Sequence, residues 1–161
     1  MQNCKAIKTT LYFDGKGWID FKSKAEGFRA TILDILKRGG EIQDWDYETQ
    51  FHRFYHPHIP DHLAGKSCGV RKYKTDFKVT ENDGRVRFEE VKRGWITPKD
   101  KTKIKAMSTY YPDTPVWLVV DYIPKGKTTS SRAKRNFILS FSPYIERIYE
   151  MRPDRLRLGL R

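Results

Sequence analysis

Two acidic residues and one lysine are spaced so that they can do chemistry together. In the stretch Arg85-Val86-Arg87-Phe88-Glu89-Glu90-Val91-Lys92, Glu90 and Lys92 are two residues apart and project from one face of an extended strand. Asp76 lies on the preceding stretch, Tyr73 to Val79, which pairs with it as a hairpin through the turn Asn82-Asp83-Gly84. Two carboxylates and an ammonium thus meet at one spot. Carboxylate oxygens are the ligands Mg²⁺ prefers, and an ion held by one or two of them keeps waters free for substrate phosphates. Such an ion lowers the pKa of a bound water and neutralises charge developing on a phosphodiester. Glu89 points to the opposite face and would serve only if the strand slipped by one residue.

These residues need a scaffold. Lys24 to Arg38 carry Phe28, Ile32, Ile35 and Leu36 at helical spacing, with Ser23 as N-cap and Gly39 where helices stop. Trp45, Tyr47, Thr49 and Phe51 alternate with Asp46, Glu48, Gln50 and His52, the period-two pattern of a half-buried strand. Arg53 to Gly69, with Pro57, Pro60 and Gly65, reads as a long loop. In the hairpin's first strand, Tyr73, Thr75, Phe77 and Val79 alternate with Lys72, Lys74, Asp76 and Lys78. Thr97-Pro98-Lys99-Asp100 then supplies an N-cap, a proline at the first helical position and a carboxylate three residues past the cap; this predicts a helix to about Tyr110 with Ile104, Met107 and Tyr111 on one face. Pro115 to Val120 is a continuous apolar run suited to a strand buried on both faces. Residues 124–135 read as a basic flexible loop, Phe137 to Phe141 as one more strand, and Ser142-Pro143 as the start of a short helix limited by Pro153. This order implies an α/β domain in which helices flank a mixed central sheet.

With 161 residues, 38% of them apolar, the chain is expected to build one core, so 1–161 is read as a single domain with a core at 21–122 and an extension at 136–161. No run approaches the length of a membrane span, and the start MQNCKAIKTT lacks the apolar stretch of a signal peptide, so a cytoplasmic location without membrane association is expected. Cys4 and Cys68 offer neither a CxxC clip nor a bridge framework, and no disulfide is expected. There are 32 Lys and Arg against 20 Asp and Glu, a net charge of +12, which asks for a partner of opposite sign; nucleic acid is the first candidate. Aromatic residues make up 14% of the chain and are spread throughout, which argues that the charge decorates a folded surface rather than a disordered tail.

Through Lys74-Thr75-Asp76 and Glu90-Val91-Lys92 the sequence resembles the PD-(D/E)XK nuclease superfamily. Ser23-Lys24-Ala25-Glu26 opens the helix before the sheet, Trp45-Asp46-Tyr47-Glu48 opens the first strand, Tyr73 to Phe77 stands where that group has Y-x-P-D-F, and Lys92-Arg93-Gly94 is followed by a Lys-rich helix. In this order the elements look like small phage endonucleases and the archaeal-type and T7-type Holliday-junction resolvases, with a restriction-endonuclease-like αβββαβ core. Thr75 replaces the usual proline, and the insert before Asp76 is long. The resemblance implies Mg²⁺-dependent (or Mn²⁺-dependent) phosphodiester hydrolysis, with Asp76, Glu90 and the Val91 carbonyl as metal ligands, Lys92 positioning the attacking water and Glu26 serving a second metal or the water. Lys74, Arg93, Lys99, Lys101, Lys103 and Lys105 are then candidate DNA contacts. Branched or duplex DNA is the expected substrate, and cutting two strands of a junction calls for a homodimer.

Simpler roles compete. Ser23-x-x-Glu26 is a capping box in its own right, and the lysines of the second helix could be a solvated face. Asp76 and Glu90 could be exposed strand residues paired with lysines. His52, His56, His58 and His62 lack cysteine partners and HExxH spacing, which argues against zinc. Two functional alternatives stay open: a nicking or restriction-like nuclease of ordinary duplex, and a non-catalytic basic DNA-binding protein.

Overall fold

A computed structural model describes residues 8–53, 72–93 and 96–159. The described residues begin with an antiparallel hairpin, β1 (Thr9–Phe13) and β2 (Gly17–Phe21), which is not among the elements expected from the sequence. Gly15 and Gly17 carry the positive φ of its tight turn, and Leu11, Phe13, Ile19 and Phe21 fill its inner face. Helix α1 (Lys24–Arg38) follows, capped as expected: the Ser23 hydroxyl accepts the Glu26 amide at 3.2 Å, and the Gly39 amide returns to the last turn. Gly27 lets this helix lie against the hairpin, because a Cβ there would stand 2.5 Å from Thr9 Cγ2.

The central sheet has five strands in the order β3-β6-β7-β8-β9, formed by β3 (Asp44–Tyr47), β6 (Phe77–Thr80), β7 (Val86–Lys92), β8 (Val116–Val120) and β9 (Arg147–Glu150). The first two pairings are antiparallel and the last two parallel, so the sheet is mixed. A two-stranded ribbon, β4 (Phe51–Arg53) with β5 (Lys72–Lys74), stands apart from it. Helices α2 (Pro98–Tyr110), α3 (Thr129–Leu139) and α4 (Arg152–Arg157), with a 3₁₀ turn at Ser142–Tyr144, complete the elements among the described residues. On one face of the sheet, α1 and the hairpin cover Trp45, Phe77, Val79, Val91 and Val119; on the other, Ile104 of α2 and Ile138 of α3 cover Leu118 and Val120. Both faces of β8 are covered, which is why its sequence is an unbroken apolar run. This is the expected α/β class, and α1-β3-β6-β7-α2-β8 follows the αβββαβ order of a restriction-endonuclease-like core. No helix among the described residues is long and apolar enough to cross a membrane.

Five local expectations need correction. The strand predicted from Trp45 to His52 breaks at Glu48, whose φ of 48° cannot continue a strand, and the chain leaves the central sheet for the ribbon. The strand predicted from Tyr73 to Val79 breaks at Thr75-Asp76, so Tyr73 packs with Met107 and Val116 while Phe77 and Val79 pack on the α1 side. The flexible loop at 124–135 is helical from Thr129, because the Thr128 hydroxyl caps the Ser131 amide at 3.2 Å. Phe137 to Phe141 is the end of that helix rather than a strand, with Ile138 and Phe141 buried against Ile104. Pro153 sits in the first turn of α4 instead of ending a helix, and the preceding residues form β9, so the extension supplies the fifth strand of the sheet. Most of the loop from Arg53 to Gly69, together with Cys4 and Cys68, lies outside the described residues.

Candidate active site

The bend at Asp76 builds the site. Phe77 pairs with Glu89, so extending that register by one residue sets Asp76 beside Glu90. The Asp76 amide donates to the Glu89 carbonyl at 3.1 Å, its carbonyl accepts the Glu48 amide at 2.8 Å, and its Oδ2 accepts the Val91 amide at 2.8 Å. Asp76 was expected within a continuous hairpin strand. It lies instead in the step between β5 and β6, where two bonds hold its main chain and the Val91 amide orients its carboxylate. Its other oxygen, Oδ1, accepts no hydrogen bond from the described residues.

Glu90 and Lys92 do share a face of β7. Glu90 is buried and accepts the Tyr73 hydroxyl on Oε2, while Lys92 Nζ lies 2.8 Å from Oε1. The same ammonium stands 3.1 Å from Asp100 Oδ1. Asp100 forms the predicted capping box of α2: its Oδ2 accepts the Thr97 amide and hydroxyl, both at 2.8 Å. One oxygen thus serves the helix and the other holds Lys92, a role that its place in the cap does not reveal.

Glu26 approaches from the N-terminus of α1. Its Oε1 accepts the Ser23 hydroxyl at 2.9 Å, and its Oε2 accepts the Lys22 amide at 3.0 Å and the Tyr47 hydroxyl. The reciprocal half of the capping box is therefore made to the residue before the cap, and a phenol from β3 joins it. Lys22 binds Glu48, which also meets Lys74 at 3.4 Å.

Acids outnumber cations at this spot, and titration behaviour reflects it. Burial, then the charge of Glu90 and that of Glu26, holds the Asp76 carboxyl well above the usual carboxylate range, against the opposing Val91 amide and Lys92. Burial pulls Lys92 down, but Glu90, then Asp100 and Asp76, outweigh it and keep the ammonium above its ordinary value. Burial, then Glu90 and Asp76, likewise raises Tyr73, which therefore stays a hydrogen-bond donor. A carboxylate pair in this condition suits a divalent cation, which would relieve the repulsion and accept the unused Asp76 oxygen. Among the described residues no three His, Cys, Asp or Glu side chains gather as a ready metal cluster; Asp76 and Glu90 offer two carboxylates, the number with which Mg²⁺ is often held when water and phosphate complete its shell.

The candidate DNA contacts divide. Lys99 and Arg93 are exposed beside the site, and Lys103 lies over the Tyr73 ring at 5.5 Å. Lys101 turns inward to Ser140 Oγ at 2.8 Å and against Phe137, Phe141 and Tyr144, so it ties α2 to α3. Lys105 leans over Tyr144 at 5.8 Å and Lys74 sits on the ribbon. His52 is buried edge-on against Phe88 and Tyr111; His56, His58 and His62 lie outside the described residues. Lys22 joins the site without any signal in the sequence, whereas Tyr47, Glu48, Tyr73 and Asp100 stand in the quoted motifs, whose spacing did not reveal their bonds to the site residues.

Residues 5–127 match the family described as protein of unknown function (DUF1064). The chain belongs to the DUF1064 family. No curated protein and no solved structure matches it. The match includes Glu26, Asp76, Glu90, Lys92 and Asp100 and stops before α3 and β9.

Proposed function

We propose that this DUF1064 chain is a metal-dependent, structure-selective DNA endonuclease that cuts branched DNA such as a Holliday junction, working as a homodimer. The observation that carries the reading is the pairing of half-buried Asp76 with buried Glu90, two carboxylates with too little positive charge around them, beside an ammonium held ready on the strand of Glu90. Held by Asp76, Glu90 and the Val91 carbonyl, Mg²⁺ would supply an acidified water and neutralise charge on the phosphodiester. Tyr73 and the Val91 amide fix the orientation of the two carboxylates. Lys92, anchored by Glu90 and Asp100 but a quarter exposed, keeps an N–H for the attacking water or a phosphate oxygen. Glu26, locked by Ser23 and Tyr47, adds a carboxylate where a second ion or the water could be held. The net charge of +12 and the resemblance to junction resolvases support DNA as the polyanion.

The test is cleavage of end-labelled four-way junction, flap, duplex and single-stranded DNA with Mg²⁺ or with EDTA. Cutting of the branched substrates in Mg²⁺, absent in EDTA, is the expected result. Equal rates on plain duplex would replace junction selectivity with nicking or restriction-like action, and binding without cleavage in any metal would leave a non-catalytic DNA-binding protein.

A further inference from the structure

The β4–β5 ribbon has two unlike faces. Alternation along β5 turns Tyr73 inward onto Glu90 and leaves Lys72 and Lys74 on the other face, beside Phe51 of the paired strand. Phe51 is 54% exposed, and the ammonium groups of Lys74 and Lys72 stand 5.0 and 5.4 Å from its ring centroid. Lys74 also meets Glu48, whose carboxylate holds the exposed Lys22 and whose amide holds the Asp76 carbonyl. An exposed ring and three lysines are therefore linked to Asp76 through one residue. That residue has a φ of 48°, a left-handed conformation that a side chain larger than glycine adopts at a cost, and it turns the chain out of β3 toward the ribbon.

We propose that this face of the ribbon binds an unpaired DNA strand, with one base stacked on Phe51 and adjacent phosphates on Lys72, Lys74 and Lys22. The inference rests on the endonuclease reading and narrows its substrate to DNA with a splayed or single-stranded segment next to the cut. A single ring ringed by ammonium groups complements a base flanked by phosphates. Bases within a continuous duplex are covered on both faces and offer the ring nothing, which is why the unpaired strand is the occupant. Lys72 and Lys74 rest on the ring through flexible four-carbon stems and exchange it for a phosphate when the base arrives.

The experiment is fluorescence anisotropy of a labelled thymidine oligomer of about ten nucleotides, within the usual site size, against a blunt duplex of equal length, all in EDTA. Phe51→Ala is expected to weaken single-strand binding about tenfold, the scale of one base–aromatic stack, and to change duplex binding less than about twofold; Phe51→Trp restores the difference. Replacing Lys72 and Lys74 together by Ala should flatten the plot of log affinity against log salt by about 1.4, roughly 0.7 for each lost phosphate contact. Wild-type single-strand affinity in Phe51→Ala, or equal losses for both DNAs, overturns the proposal. An unchanged urea midpoint for Phe51→Ala certifies the fold. Because no metal is present, these outcomes are independent of cleavage: loss of the Phe51 effect in an active nuclease rejects the ribbon alone, and a Phe51 effect in an inactive protein rejects the nuclease alone.

Discussion

Glu89 and Glu90 are neighbours on one strand, 0% and 3% exposed, and they live in opposite electrostatic worlds. Glu89 faces α1, where Arg29 grips it with Nε and Nη2 at 2.7 Å each and Arg87 Nε adds a third bond at 3.0 Å. Two guanidiniums satisfy one carboxylate, and although burial pushes its pKa up, the Arg29 and Arg87 charges outweigh it and hold Glu89 below its usual range. Glu90 faces α2, where a phenol and the single ammonium of Lys92 serve it while Asp76 stands alongside with its proton affinity raised. Burial of a carboxylate is common to both and indicates nothing by itself. The deficit of positive charge marks a place that expects a visitor, and the surplus marks a structural rivet.

The sharpest way to break this contrast is on the Glu90 side. The combined change Asp76→Asn and Glu90→Gln should abolish Mg²⁺-dependent cleavage while keeping or tightening DNA binding in a gel-shift assay, since it removes negative charge near phosphate. Mg²⁺ should raise the melting temperature of the wild type and leave that of the double variant unmoved. Turnover at the wild-type rate by the double variant would sink the site assignment.

On the other side of the strand the loss should appear in stability. Glu89→Gln leaves Arg29 and Arg87 facing a neutral amide, and a cost of about 3–5 kcal/mol is expected in urea denaturation. A variant as stable as the wild type would mean that the two carboxylates do not differ as described.

Lys92→Ala should lower kcat at least about 10²-fold, and Asp100→Asn about tenfold through loss of the charge that orients Lys92. If activity falls only in step with DNA affinity, Lys92 is a phosphate contact and nothing more. Glu26 separates the same two roles within one residue. Glu26→Gln can still serve a cap, so its melting temperature should hardly move while cleavage drops; Ser23→Ala should cost about 0.5–2 kcal/mol and spare turnover well below the transition.

The smallest effect is a pair of opposite pH slopes measured in EDTA. Glu89, with its pKa lowered by folding, contributes stability above about pH 4 that disappears as pH falls through its folded value. Asp76, with its pKa raised, withdraws stability as pH rises from about 4 toward its folded value. Urea midpoints across this range should show a weaker acid loss in Glu89→Gln and a weaker decline toward neutrality in Asp76→Asn.

The core of the site was legible because strand geometry obeys parity: Glu90 and Lys92 share a face and Glu89 does not. Helix caps were legible for a similar reason, since Ser23 and Thr97 act on residues only three positions away. What escaped was every contact that joins distant elements. Asp100 looked fully explained as a cap because one of its oxygens is, and Tyr73 and Tyr47 looked like core aromatics because the first ring is buried and the second partly so, while only their hydroxyls reach the acids. Helix α3 hid behind Ser, Thr and Lys, since its apolar residues Phe137 and Ile138 come in the last turn. The alternating lysines of α2 gave no hint that Lys101 turns inward, because that depends on where Ser140 ends up.

The position of β9 has a consequence for synthesis. The Arg29 guanidinium lies over the Tyr149 ring, 4.4 Å from its centroid, and Met151 belongs to the same core. Tyr149 leaves the ribosome 149 − 29 = 120 residues after Arg29, an interval of roughly 6–24 s at the usual 5–20 residues per second. In the last part of that interval, once β8 has been made, the nascent sheet ends at β8 with an open row of amides and carbonyls, and Arg29 still lacks the Tyr149 ring. The first buried cation among the described residues must therefore wait for their last strand, and any chaperone that shields this protein during translation would have the β8 edge as its object.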